Sequence, residues 1–313
     1  MLPETDSIQA AGYALMDNAQ AMLLSGNIRE GMAHTFLGMR AIKNRYGASE
    51  WKEFSQTTFL SHPITQLIHQ CPFTYHSFTK PRGYAGDADL LDFIYGFKQL
   101  SSNSNALGRN ILEYCVNSPI SISVRARRDM LAKMIDGVAS GATRPVEILS
   151  IACGHLREAQ KSIAIREGSI GKLIAFDQDP VSLELINHEL ANSSIQTLRG
   201  SVTALIRQKQ SFKNLDLVYA AGLYDYLSQP FATRLTKIMF DMLRSGGKLL
   251  IANFIPNMIE VGYMETFMQW YLIYRTESQL EDVAKEISET EIANKRTFLT
   301  NNRNLVFLEL VKE

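Results

Sequence analysis

Residues 147–160 read "EILSIACGHLREAQ", and this stretch decides the fold. Ile148-Leu149-Ser150-Ile151 is an apolar run of strand length with β-branched side chains. It runs into a small-residue turn, Ala152-Cys153-Gly154, and a helix-like segment follows. Strand, tight turn and helix in that order begin a nucleotide-binding unit. A dinucleotide fingerprint asks for three glycines there. Only Gly154 is present, with Ala152 and Leu156 standing where glycine is preferred. The turn predicts a ligand that needs the strand and the turn but no backbone cleared for a pyrophosphate.

The next strand narrows that ligand. "KLIAFDQDP" ends in Asp177, 23 residues after Gly154. An acid at the end of the second strand is placed to accept hydrogen bonds from a ribose diol. Together the two features predict an adenosine-like ligand. Gly154 leaves room for one small group, such as the amino-acid tail of S-adenosylmethionine. The plainer alternative is a structural turn with an incidental aspartate.

Outward from this unit the grammar is that of an α/β chain. "EILSIA", "KLIAFD", "LDLVYAA" and "GKLLIANF" are four parallel-strand candidates alternating with helices. "KRTFLTNNRNLVFLELVK" is two strands joined by an Asn-rich turn, an antiparallel hairpin for the sheet edge. The expected fold is a Rossmann-like, doubly wound, mostly parallel sheet with a C-terminal antiparallel hairpin and an N-terminal helical cap. Residues 1–140 form the expected cap or lid region, and residues 141–313 the nucleotide-binding domain. In the cap, "IQAAGYALMDNAQAMLLSG" and "IREGMAHTFLGMRAIKNRYG" carry helical apolar spacing, each stopped by a glycine. Further helices are expected from Ser104 to Val116 and up to Gly141. His62, His69 and His76 are spaced by seven, but Pro63 and Pro72 break any single helix that would gather them on a metal. No metal is expected.

Composition sets the outer bounds. The 313 residues are 46% apolar and 20% charged, as in an ordinary globular chain with a sizeable core. Lys+Arg and Asp+Glu both number 32, so no global field gathers nucleic acid or anionic membrane. Cys71, Cys115 and Cys153 match no zinc or redox spacing, and Cys153 reads as a small buried filler. With no secretory pattern and no apolar run of membrane length, a cytoplasmic protein is expected, with a small-molecule partner, no nucleic acid and no membrane. The oligomeric state is open.

Further motifs carry a family resemblance. "NLDLVYAAGLYDYL" is a strand emptying into a tyrosine-rich loop, and "MLRSGGKLLIANF" is a helix, a Gly-Gly turn and a strand. Over residues 145–313 this succession resembles the class I S-adenosylmethionine-dependent methyltransferases. It departs from their general pattern where Ser150 replaces the usual acid and Ala152 and Leu156 replace glycines. "ACGHLRE", "KPRGYAGDADLLDFIYG" and "AAGLYDYL" together are similar to a bacterial subfamily of 3-hydroxy fatty acid methyl ester synthases, and also to azetidine-2-carboxylate synthases, over residues 60–313. The resemblance implies S-adenosylmethionine as cofactor, contacted by Ala152, Cys153, Gly154, His155, Asp177, Gln178, Ala221 and Gly222.

The remaining candidates follow from the chemistry of a sulfonium cofactor. Arg82, Gly83 and Tyr84 read as a lid over it, Arg82 with a fork suited to a carboxylate and Gly83 free to take unusual backbone angles. Asp87 is alternatively the N-cap of a helix. Tyr84, Tyr224 and Tyr226 offer aromatic faces to the cation. Asp225, His155 or a tyrosine would act as base for an amine or hydroxyl acceptor, whereas a carboxylate acceptor needs none. Tyr271, Tyr274 and Arg275, in a Met-, Tyr- and Trp-rich region, are candidates for acceptor contacts. The expected function is methylation of a carboxylate or similar polar group of a small metabolite. Cyclisation of the cofactor to azetidine-2-carboxylate and methylthioadenosine is the alternative, and non-catalytic binding of the nucleoside a third.

Overall fold

Four apolar runs become the interior of one sheet because their residues are buried on both faces. In the computed structural model, which describes residues 7–98, 100, 105–190, 194–207 and 209–313, seven strands form. They are β1 (Glu147–Ile151), β2 (Lys172–Asp177), β3 (Ile195–Arg199), β4 (Leu215–Ala220), β5 (Leu243–Phe254), β6 (Ile292–Leu299) and β7 (Leu305–Lys312). Their order across the sheet is β3-β2-β1-β4-β5-β7-β6. The first five pair in parallel, and β7 is antiparallel to both β5 and β6. This is the doubly wound, mostly parallel sheet with a terminal hairpin that the sequence predicts. Every residue of β4 is buried, as is all of β1 beyond Glu147. Such strands read as continuous apolar runs rather than alternating ones.

Three local features differ from the sequence reading. β3 was not among the four expected strands. Its "IQTLR" pattern is half-exposed and polar because it lies at the sheet edge. The "LRSGG" segment is not a turn but part of β5, whose register against β4 shifts between Leu215 and Leu217. There Gly247 lets the backbone approach, since a Cβ on it would lie 2.7 Å from the Leu215 carbonyl oxygen. The segment after Gly154 is a chain of tight turns, not a helix; the nearest helix is Ile163–Arg166. Leu156 sits at φ 51°, in the left-handed region, where a right-handed helix cannot propagate.

The chain divides into two compact units, Met1–Val124 with Asn257–Tyr271, and Arg125–Pro256 with Leu272–Glu313. The first division falls inside the helix Pro119–Ser140 rather than at residue 140, and the short returning segment joins the helical unit. That unit is built on Ile8–Leu24 and Ile28–Phe54. In the first helix, Ile8, Ala11, Leu15, Ala19 and Leu23 form the buried stripe that helical spacing predicts. The second is continuous in outline, but Gly47 at φ 79°, ψ 173° breaks its helical geometry where the sequence placed a stop. The sheet unit has its own core, with Leu149, Val218, Leu249 and Leu308 among its fully buried members. No helix among the described residues is long and apolar enough to cross a membrane.

Candidate functional site

The strand order reverses between β1 and β4, and in open α/β sheets the loops leaving the carboxyl ends of strands at such a switch point frame a ligand crevice. The first wall is the turn after β1. Ala152, Gly154 and Leu156 all take positive φ, at 54°, 53° and 51°. For Ala152 and Leu156 this conformation is strained, and strain of this kind gathers at sites where backbone amides are aimed at something. Cys153 N donates to Phe176 O at 3.3 Å, extending the β1–β2 pairing by one residue. Gly154 N then donates to Asp177 Oδ2 at 2.9 Å. The two residues singled out for the nucleoside thus meet directly.

Asp177 is 7% exposed, and its other oxygen accepts from Asp179 N at 2.9 Å. A carboxylate offers about four acceptor positions. Two are engaged by these amides, which fix its orientation. Gln178 beside it is exposed. Burial pushes the Cys153 thiol well above its ordinary value, with the Asp177 and Glu158 charges adding to the effect. Cys153 is half-buried rather than the fully buried filler expected, and a thiol raised in this way is a poor nucleophile. His155 is buried.

The second wall is the loop after β4, Ala221 to Tyr226. Tyr224 is fully buried, and its hydroxyl shares a 2.8 Å hydrogen bond with Thr236 Oγ1. Asp225 Oδ1 accepts from Phe254 N at 2.7 Å, and its carbonyl accepts from Ile273 N at 2.7 Å. Burial pushes the Asp225 carboxyl up to about 6. Tyr226 is 40% exposed. Arg275 donates to Tyr224 O and Asn253 Oδ1 at 2.7 Å and to Gln229 Oε1 at 2.9 Å, so its fork braces this loop from inside. Tyr274 is half-buried beside it in the chain.

Sequence reasoning missed two charged residues at this place, Glu158 and Arg127. Glu158, buried among the turns after β1, accepts from the Tyr219 hydroxyl of β4 at 2.8 Å. Burial raises the Glu158 carboxyl, against the opposing effect of Arg127 and Arg128. Arg127 is 5% exposed, and its Nη2 lies 3.7 Å from where a Cβ on Gly222 would be. Its guanidinium stands 5.9 Å from the Phe254 ring centre. Among the described residues it makes no hydrogen bond or ion pair, although Glu158 and Asp225 both feel its charge. A buried arginine inside "VRARRD" looks in sequence like one charge of a solvated helix face; only the packing distinguishes it.

The other candidates belong to the helical unit. Arg82 Nη2 pairs with Asp89 at 2.8 Å and Nε donates to the same oxygen at 3.0 Å, so a carboxylate of this unit occupies its fork. Burial alone would raise Asp89, yet Lys98 and Arg82 together hold it below the ordinary carboxylate range. Gly83 takes φ 88°, and Tyr84 is half-buried. Asp87 caps the helix Ala88–Tyr95, accepting from Leu90 N at 2.8 Å, and also bonds His76. His62 pairs with Asp17, and His69 bonds Phe267 O at 2.9 Å, so the three histidines have separate partners. Tyr271 accepts from Gln56 Nε2 at 3.1 Å. The unit also holds a cavity of about 540 Å³ lined by Arg29, Glu30, Glu113 and Tyr114.

No family profile matches the sequence, and no curated protein sequence does. Solved structures do resemble it. A possible exported protein from Bordetella parapertussis superposes with a TM-score of 0.62 at 14% identity, over 98% of this chain and 97% of that one. The magnesium protoporphyrin IX methyltransferase of Synechocystis PCC 6803, with bound S-adenosylhomocysteine, gives 0.49 at 12% identity, over 76% of this chain and 100% of that one. An N-methyltransferase of Bradyrhizobium japonicum gives 0.44 at 14% identity, over 63% and 89%. At such identities the likeness is one of fold.

Proposed function

We propose that the protein binds S-adenosylmethionine at the carboxyl ends of β1, β2 and β4 and methylates a carboxylate or similar polar group of a small metabolite. The observation that supports this most is the 2.9 Å bond from Gly154 N to Asp177 Oδ2. It ties the turn after β1 to the acid after β2 and holds that acid still with acceptor positions left over. A ribose diol requires such a group. Ala152 and Leu156, where a dinucleotide fingerprint prefers glycine, argue against a dinucleotide.

When bound, the cofactor supplies an activated methyl on a sulfonium. The protein's part is to bind and orient. Asp177 accepts from the ribose hydroxyls. Residues 152–155, with Gln178 on one side and Ala221–Gly222 on the other, frame the nucleoside. Tyr226 offers a half-open aromatic face, worth roughly 0.5 to 2 kcal/mol to a nearby cation. In-line transfer to an acceptor already ionised at neutral pH rests on positioning and needs no general base. The engagement of Tyr224 by Thr236 and of Asp225 by Phe254 N and Ile273 N is compatible with that.

The test is product identity. The purified protein is incubated with S-adenosylmethionine alone and with a pool of small metabolites added, and the nucleoside product is identified. S-adenosylhomocysteine that forms only with the pool is the expected result. Methylthioadenosine and a ring amino acid from the cofactor alone would replace methyl transfer by cyclisation. A bound but unchanged cofactor in both mixtures would leave a non-catalytic binder.

A further inference from the structure

We infer that Cys71 and Cys115 are a dithiol pair that a small hydroperoxide oxidises to an intramolecular disulfide. The pair belongs to the helical unit and does not depend on the nucleoside reading. The two cysteines stand 44 positions apart, where no redox spacing joins them. The fold does so instead. Cys71 precedes the helix Pro72–Thr79, and Cys115 lies near the end of the helix Ala106–Val116. One hydroxyl ties the two places: Tyr263 Oη accepts from Cys115 Sγ at 3.7 Å and shares a 2.7 Å hydrogen bond with Thr74 Oγ1, three residues past Cys71. The two sulfurs are themselves in hydrogen-bond contact, yet both are free thiols.

Buried thiols are ordinarily inert, since burial disfavours the thiolate that reacts. Burial opposes charge on Cys71 too, but the Cys115 thiol, the Thr74 hydroxyl and the Thr74 and Phe73 amides at the helix start together hold it below its ordinary value. Cys115 is pushed well above its own by burial and by Cys71. The pair therefore gives up one proton more readily than a lone buried thiol would. A cavity of about 20 Å³ adjoins it, lined by Cys115, Ser118, Ser121, Glu260 and Tyr263 among others, and has room for a molecule a little larger than water. Glu260 is 1% exposed, and its Oε2 has no hydrogen-bond partner among the described residues. A guest with an O–H donor would satisfy it.

The chemistry balances with a hydroperoxide as oxidant. The thiolate attacks the peroxide, an S–O bond forms, the O–O bond breaks, and the leaving hydroxide takes the second thiol's proton as water. The second sulfur then displaces hydroxide from the sulfenic acid, forming S–S and breaking S–O. That hydroxide combines with the proton first released. The two sulfurs lose two electrons, and the peroxide gains them to end as two waters.

Peroxide treatment with thiol mapping tests this. The reduced chain is exposed to hydrogen peroxide, its remaining thiols are alkylated in denaturant, and the unreduced peptides are mapped by mass spectrometry. Of the three cysteines, Cys71 and Cys115 should leave the alkylated pool together, linked to each other, while Cys153 stays alkylated. Dithiothreitol should restore both. Urea-unfolded protein should lose this selectivity, because only the fold joins the two sulfurs. Cys71→Ala and Cys115→Ala should each leave the remaining buried cysteine at least about tenfold slower to react than in wild type, since the partner of the pair is gone. A wild type that keeps both thiols, oxidises Cys153 first, or carries sulfinic acid without a link would overturn the inference. So would an unfolded chain that links Cys71 to Cys115 as selectively as the folded one. Should the alanine variants not fold, the wild-type maps with and without urea decide the point.

Discussion

Asp225 is a fully buried carboxyl in a loop that the sequence marks only as "YDY". Its backbone and side chain close the loop onto Phe254 and Ile273, and burial raises it to about 6. An unfolded aspartate loses its proton near pH 3.9. Between about pH 4 and 6 the folded state therefore holds more protons than the unfolded state, and this residue's contribution to stability falls as pH rises. Above that window the penalty levels at about 2–3 kcal/mol. Asp225→Asn keeps an oxygen for Phe254 N and removes the charge. Its Tm should gain on wild type as pH is raised from 4 to 7 in thermal melts. A difference that stays flat over that range would show that the carboxylate is not held in a dry place. Asp225 was readable as a polar loop residue from the sequence. Its engagement was not, because the partners lie 29 and 48 positions away.

At the scale of elements, the turn after β1 carries the account. Its position was legible from the four-residue apolar run and the small residues behind it. Its path was not. Helix-compatible residues follow Gly154, but left-handed backbone at Ala152 and Leu156 turns the chain repeatedly instead. That geometry depends on Asp177 pulling Gly154 N, a bond made across 23 positions. β3 escaped notice for a related reason: an edge strand needs no continuous apolar run. Because Ala152 is left-handed, Ala152→Gly relieves strain while adding unfolded-state entropy, and stability should stay within about 1 kcal/mol of wild type. Ala152→Val, β-branched where φ is positive, should cost about 2 kcal/mol or more. Denaturant melts of the two variants check this. Equal losses would contradict a left-handed backbone at Ala152.

Across the whole molecule, the strand order explains why residues from four distant segments gather at one place. Arg127, the turn at 152–158, Asp177 and the loop at 221–226 all lie in the sheet unit, at the side where β1 and β4 part. The doubly wound class was legible because parallel strands must be apolar on both faces. The buried Arg127 and Glu158 were not, since charge in a sequence reads as surface. With Lys+Arg equal to Asp+Glu, the net charge offers no general attraction for a polyanion. The most direct test is therefore calorimetric titration with S-adenosylhomocysteine and, separately, with NADH, on wild type and on Asp177→Ala. Wild type should bind S-adenosylhomocysteine saturably, ignore NADH, and lose at least about tenfold in affinity when Asp177 is removed. Tight binding of NADH with no response to S-adenosylhomocysteine would contradict the account.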